Sequence, residues 1–588
     1  MNRFESEGVP NPIIPFMKRF SQPGSVTLLA VLSFLLSAGC STQRYRKSAD
    51  KEAYRAVAQK TPLVKNMDEH FTIEQTNQLS LVGLPVAVKV EDFLGPDGEV
   101  ERGAHVISLE GALDLAVKHS RAYQNQKENL YLEALGLTLD RHQFAPIFAA
   151  SGSGTYKATT LQAVGAEIDP NNPTNLIPQF NVVEEQSVSG DGRVAVSKLL
   201  SFGTRLTAAF TTDFFRFLTG DPRTMTSSQL GATLAQPLWR GAGYRVTMEN
   251  LTQSERNLLY ALRDFTLFRK RFSVDVATAY YQVLGGRDAV RNGFTKLRSA
   301  RQNALRTRSL AEEGRATQSD LGRLEQQQLS SESEWINAIR IYKQSLDNFK
   351  IQLGLSTDST VVLADTDLEQ LKILHPEISV DDSIKVALAT RLDYQNVREQ
   401  YEDAGRKIGV AADALRAQVD LVASAGIDSQ QEKATRFAAP DIDRYHWNAG
   451  LELNLPLDRK AERNAYRRSL ITYEQSRRTF ELRADEIKLQ VRDGWRTLDQ
   501  AKRNFEISEI GVKLAERRVE EQNLLADLGR AKAQDQVDAQ NDLVNSRNQR
   551  TQALVAHTIA RLQFWNNLGI LYINDNGQWE EITNAKLE

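Results

Sequence analysis

Two aspartates three residues apart, Asp535 and Asp538, follow the stretch Leu528-Gly529-Arg530-Ala531-Lys532-Ala533-Gln534, between two long heptad-rich segments. On a helix that spacing puts both carboxylates on one face, one turn apart. Such a pair can attract cations, and it also suits an ordinary helix start, where acidic side chains oppose the dipole. Neither use is a covalent reaction. The other reactive residue types form no constellation, because the sequence contains no zinc-ligand spacing, no Walker-type glycine loop and no nucleophile elbow. The 7 histidines are scattered, and lone ones such as His119 and His446 read as surface or interface residues. A single cysteine, Cys40, excludes an intramolecular disulfide and any paired-cysteine metal or redox motif. The expectation is a protein that is not an enzyme, with no cofactor and no metal site.

The surroundings of Cys40 give it another role. An apolar run from Val26 to Leu36 leads through Ser37-Ala38-Gly39 to the thiol, which resembles a bacterial lipoprotein signal with Cys40 as the lipidated residue. The run falls short of the roughly 20 residues needed to span a bilayer and fits a signal-peptide core. Residues 1–39 are therefore expected to be a signal peptide, and Met17-Lys18-Arg19 reads as a second, more conventional start. No other stretch has the length and apolarity of a transmembrane helix, so an exported chain of this kind is periplasmic, lipid-anchored or a β-barrel.

The chain has 588 residues, more than one ordinary core, and a net charge of −2 with both signs interspersed along its helical parts. That distribution argues against nucleic acid as a partner. The organising feature is an internal duplication. Ile107-Ser108-Leu109 returns as Ile378-Ser379-Val380, and Tyr123-Gln124-Asn125 as Tyr394-Gln395-Asn396; 378 − 107 and 394 − 123 are both 271. A helix–glycine–helix turn at Gly314-Arg315-Ala316-Thr317-Gln318-Ser319-Asp320 returns at Gly529; 529 − 314 and 569 − 354 are both 215. The first copy thus carries 56 extra residues between its opening helix and its turn.

Within each copy the hydrophobic period changes from helical to two. Trp447, Ala449, Leu451, Leu453, Leu455 and Leu457 alternate with polar or small residues, and Val419, Leu421, Ala423, Ala425 and Ile427 form a partner run. The first copy shows the same at 147–160, 194–200, 205–215 and 230–238, and its extra residues are expected to supply a hairpin plus a polar loop at 165–186. After the strands, 244–312 and 461–527 contain no proline and read as very long helices. Val491, Leu498, Phe505, Val512 and Val519 recur every seventh position beside Gly494, Ala501 and Ala515, the pattern of closely packed coiled coils.

The fold class is accordingly mainly α with a β-barrel sector. Its expected segments are an extension at 40–106, a first repeat at 107–355, a joining segment at 356–377, a second repeat at 378–570 and a polar tail at 571–588. Thr317 with Asp320 forms a helix-start signal that Lys532 does not reproduce in the second turn.

Over about 107–570 the sequence resembles the TolC-type outer membrane factor family of efflux and secretion ducts. The resemblance is carried by the paired openings, the strand-to-helix joints Gln236-Pro237-Leu238-Trp239-Arg240-Gly241-Ala242-Gly243 and Leu455-Pro456-Leu457-Asp458, Ala279-Tyr280-Tyr281, and the two glycine turns. It implies a homotrimer in the outer membrane, lipid-anchored here, whose strands form one β-barrel continuing into a periplasmic tunnel of coiled-coil helices. It also implies a periplasmic adaptor and an inner-membrane pump as partners. By the same resemblance Asp535 and Asp538 line the pore constriction and Asp320 helps hold the closed state. The tips Gly314, Arg315, Ala316, Gly529, Arg530 and Ala531 touch the adaptor; where the family has an arginine this chain has Ala531, with Arg530 one place earlier. The competing reading of the same heptads is a lipid-anchored periplasmic coiled-coil scaffold or adaptor, which requires no paired amphipathic strands. The substrate, whether drug, metal or protein, is not legible.

Overall fold

The computed structural model describes residues 41–580 except 75–80, 82, 170–171, 220–223, 431–438, 529 and 531, with the backbone alone of 161–169, 172–183 and 527. The signal segment, Cys40, Gly529 and Ala531 lie outside the described residues.

The two copies build the same helices. Ser108 caps α2 (Leu109–His119) by accepting from the Gly111 N–H at 3.2 Å, and Ser379 caps α6 (Val380–Thr390) by accepting from Asp382 N–H at 3.1 Å. Each cap satisfies an orphan donor of the first turn. α3 (Arg121–His142) and α7 (Leu392–Asp413) follow, both 22 residues long. The long helices are α4 (Glu249–Glu312) and α8 (Lys460–Asp527), 64 and 68 residues, on the order of 100 Å each. α5 (Gln318–Leu353) and α9 (Ala533–Leu568), 36 residues each, return antiparallel to them.

Side by side these helices form four columns. α5 ends against the start of α3, and α9 against the start of α7, so each pair makes one interrupted column. The order across the layer is α3/α5, α4, α7/α9, α8. The joints explain two glycines that sit at left-handed helix C-termini: Gly354 has φ +83° and its missing Cβ would lie 2.1 Å from the His119 carbonyl oxygen, while Gly569 has φ +80° beside Thr390 and Arg391. The heptad residues Val491, Leu498, Ala501 and Ala515 are buried, as close coiled-coil packing requires. Between columns two and three lies a buried polar ladder. Arg263 reaches Glu399 at 2.7 Å and Asn396 at 3.1 Å, and Asp403 accepts from Tyr260 and Arg406, both at 2.6 Å. Buried ion pairs of this kind fix register more than they add stability.

Further elements pack against α3 and α4. α1 (Thr42–Lys60) packs on α3 through Ala53, Ala56 and Val57, an i, i+3, i+4 set within an otherwise polar helix. β1 (His105–Ile107) pairs in parallel with β6 (Val361–Leu363). Asn66, at φ +66°, exchanges two hydrogen bonds with the backbone of Ile573 at 2.6 and 2.9 Å, and Arg269 of α4 holds the carbonyls of Asn66 and Asn574, both at 3.1 Å. The segment after residue 570 thus buries Leu571 and Ile573, where the sequence suggests only a polar tail.

At one end of the layer stands a six-stranded antiparallel sheet in the order β2 (Ile147–Asp169), β3 (Asn172–Leu199), β4 (Arg205–Phe217), β5 (Thr224–Pro237), β7 (Gln418–Ser429) and β8 (Pro440–Asn454). The first copy supplies four strands and the second two, so the extra residues add a hairpin to the sheet. The expected loop at 165–186 is absent. β2 and β3 stay paired from Ile147↔Ser197 to Asp169↔Asn172, because runs such as Leu176-Ile177 and Val182-Val183 let the backbone ladder continue past the polar positions.

Candidate functional site

Two regions bear on function, the wall of the sheet and the tips of the helical hairpins. In the wall, cross-strand register decides which residues share a face, since successive side chains alternate. The pairings place Phe148, Val196, Ala208, Ala232, Ala425 and Trp447 in one row across all six strands, and Ala150, Val194, Phe210, Leu230, Ile427 and Tyr445 in the next. The opposite face carries Ser197, Thr207, Thr233, Ser424 and Asn448, then Ser151, Arg193, Thr211, Gln229 and Asp428. Two adjacent rows of one face are thus apolar from edge to edge, while the other face carries these polar rows with Ala149, Ala195, Ala209, Gly231, Gly426 and His446 in the row between them. Among the described residues nothing covers the apolar rows, with Phe148 78% exposed and Trp447 72%. On the polar face His446 Nδ1 lies 3.0 Å from Asp428, and Ser424 donates to Asn448 at 2.9 Å.

Where the sheet meets the helices the chain turns sharply. Gly203 (φ +93°) leaves room for Pro237 and the Gly241 carbonyl, each 2.9 Å from where its Cβ would be, and the Gly241 N–H donates to buried Asp413 at 2.7 Å. Beside this joint Phe202, Trp239, Tyr244 and Leu457 are exposed, a group of aromatic and apolar side chains at the level where a barrel girdle would sit.

At the opposite end α4 turns into α5 and α8 into α9. Gly314 (φ +73°) allows the first turn, which closes through the Arg315 N–H to the Leu310 carbonyl at 2.8 Å; the Arg530 N–H makes the equivalent bond to Leu525, also at 2.8 Å. The duplication therefore reaches the hydrogen bonding of the turns. Thr317 caps α5, accepting from Asp320 N–H at 3.1 Å and donating to the Asp320 carboxylate at 2.6 Å, whereas α9 begins at Lys532 with no side-chain cap. Arg315 and Arg530 are exposed, Ala316 and Asp320 half-buried, and Arg315 faces Glu313 at 3.5 Å. Asp535 and Asp538 sit half-buried in the first turns of α9. Asp538 accepts from Gln534 at 3.0 Å, and Gln534 in turn accepts from Arg323 of α5, so one polar relay links the two tips. Ala304, Leu324 and Ala533 close a small apolar contact above it. Sequence reasoning missed Arg323 and Gln534, 211 residues apart, whose pairing depends on how the two hairpins sit side by side.

Among the described residues no helix is long and apolar enough to cross a membrane, and no group of three or more His, Cys, Asp or Glu could hold a metal ion. No family model matches the sequence, and no curated protein matches it. Solved structures do match. The Campylobacter jejuni CmeC outer membrane channel aligns over 87% of this chain and 97% of its own, with TM-score 0.56 and 14% identity. CusC, described as undergoing transmembrane channel formation, aligns over 78% of this chain and 92% of its own, with TM-score 0.56 and 13% identity. The open-state MtrE outer membrane channel of Neisseria gonorrhoeae aligns over 78% and 88%, with TM-score 0.54 and 11% identity. The chain shares the fold of these outer membrane channels, long antiparallel helices joined to an antiparallel sheet.

Proposed function

We propose that this chain, carrying the fold of outer membrane factor channels, is the outer-membrane exit duct of a tripartite efflux or type I secretion system. Three copies close the barrel and the tunnel, and substrate passes passively from an inner-membrane pump through the duct. The observation that carries this reading is the pair of adjacent apolar rows running unbroken across six strands. A soluble sheet must cover such a face with a second layer, whereas a barrel wall leaves it to lipid and turns its polar face to an aqueous lumen. Helices some 100 Å long continuing from that wall supply the periplasmic part. The tips, with Gly314, Arg315, Ala316, Gly529, Arg530 and Ala531, are the docking points for the adaptor. Asp535 and Asp538 form the constriction with Asp320 near it, and Cys40 carries the lipid anchor.

Membrane fractionation with gel mobility before and after heating tests this function. A heat-modifiable trimer in the outer membrane supports it; a chain released from membranes by carbonate would overturn it. The mass of the mature N-terminus tests the anchor separately, with an acylated Cys40 expected and an unmodified thiol against it.

A further inference from the structure

The sheet has two open edges, β2 and β8, and the helix layer has two, α3/α5 and α8. They coincide, because α3 runs into β2 and β8 runs into α8. Exposed large apolar side chains follow the same division. α8 carries Leu482, Leu489, Ile507 and Leu514, and α5 carries Leu329 and Ile336, while the inner α4 exposes only Leu305 and α9 none. Both edges therefore present unpaired backbone and apolar side chains to one further element, and a rotated copy of this chain offers the complementary edge of each kind. Such a head-to-tail contact closes into a ring when the rotation between copies divides a full turn, as the threefold assembly proposed above requires. β2 runs away from the helices and β8 toward them, so β8 beside a neighbour's β2 is antiparallel like every other pair in the sheet.

We infer that all six strands of each chain lie in the wall, so that the threefold assembly proposed above is an 18-stranded barrel about as wide as its helical tunnel. The added hairpin is part of the wall because its first residues continue the apolar rows. Phe148 and Ala150 on β2, with Val194 and Val196 on β3, share the face of Phe210, Leu230 and Trp447. A hairpin standing in water outside the wall has no use for that one-sided pattern.

The widths agree. With strands about 4.8 Å apart and tilted about 40°, each takes roughly 6.3 Å of circumference, so six cover about 38 Å. Four helix columns at 8–10 Å spacing cover roughly 32–40 Å. Three copies at 38 Å give a backbone diameter of about 36 Å for wall and tunnel alike. Beyond the apolar rows β2 and β3 continue as a pair to Asp169↔Asn172, on the side away from the helices, and in this orientation they project outside the cell.

The inference rests on the duct reading, and electron cryomicroscopy of the full-length protein in lipid nanodiscs separates the two. Eighteen strands in a threefold ring are expected. A threefold ring of 12 strands with residues 147–199 outside the wall overturns this inference and leaves the duct standing, while particles with no ring and no lipid-embedded barrel overturn the duct reading itself. Disulfide trapping gives a second readout. Asn448→Cys on β8, combined in turn with a cysteine at each position from Phe148 to Gly154 on β2, is expected to yield covalent trimers at one register. Trapping instead with cysteines between Ala208 and Thr212 on β4 would show that β8 skips the hairpin.

Discussion

An arginine at Leu230 is the sharpest probe of which face of the wall meets lipid. Leu230 lies on central strand β5 between Phe210 and Ile427, in the second of the apolar rows, and is 45% exposed. In a barrel this places the side chain near the middle of the hydrocarbon layer, where an arginine costs about 2–4 kcal/mol. At about 3 kcal/mol the folded population falls roughly 150-fold relative to the unfolded, at 1.4 kcal/mol per factor of ten. Thr233 is three residues along the same strand and belongs to the polar face, between Thr207 and Ser424, so an arginine there meets water and is expected to change stability by less than about 0.5 kcal/mol. The assay is urea unfolding of protein folded into liposomes, followed by the mobility difference between folded and unfolded forms on a gel. Leu230→Arg should lower the midpoint and Thr233→Arg should not. Equal midpoints, or greater damage from Thr233→Arg, would refute the assignment of faces.

The helical sector offers independent tests. Asp393, at the start of α7, is bound by Arg391 at 2.7 Å and Arg483 of α8 at 2.6 Å; burial alone would raise its carboxyl, but the two guanidiniums outweigh it and hold it at about 2. Because the folded value lies below the unfolded one, this stabilisation of about 2–3 kcal/mol is present above pH 4 and lost as pH falls toward 2. Asp393→Asn should lower the melting temperature at pH 7 and flatten its decline in acid, as circular dichroism would record. Gly354→Ala places a methyl group 2.1 Å from the His119 carbonyl and should reduce folded yield well below that of Gly136→Ala, whose Cβ meets nothing within 4 Å. At the tips, a ring of aspartates would concentrate cations. Trimers in planar bilayers should be blocked by a trivalent cation from the periplasmic side, and alanine at both Asp535 and Asp538 should abolish the block while leaving the trimer assembled; an unchanged block removes these carboxylates from the aperture.

Much of this architecture is written in local patterns. The proline-free stretches announce α4 and α8, the constant offsets pair α5 with α9, and alternation marks strands at 205–215, 419–427 and 447–457, the last of which the structure shifts to Pro440–Asn454, leaving Leu455 and Leu457 beyond its end. These features were legible because each depends on residues a few places apart. What escaped depends on distant partners. α1 is polar over most of its surface and shows only Ala53, Ala56 and Val57 as an apolar stripe, too narrow to mark a docked helix. The parallel pairing of His105–Ile107 with Val361–Leu363 has no local signal at all. The outer half of the β2–β3 hairpin looked like a loop because prolines and asparagines were weighed above the apolar runs between them. At the tips the capping by Thr317 was legible, and the relay from Arg323 through Gln534 to Asp538 was not, since it exists only once two hairpins share a register.

The central claim is that this chain forms a water-filled passage through lipid, and single-channel recording from purified full-length trimers in a planar bilayer tests it most directly. The account predicts discrete, uniform conductance steps that depend on the trimer and disappear when the sample is heated to monomers. A bilayer that stays electrically silent, although the same trimers are shown by protease protection to be inserted, would contradict it.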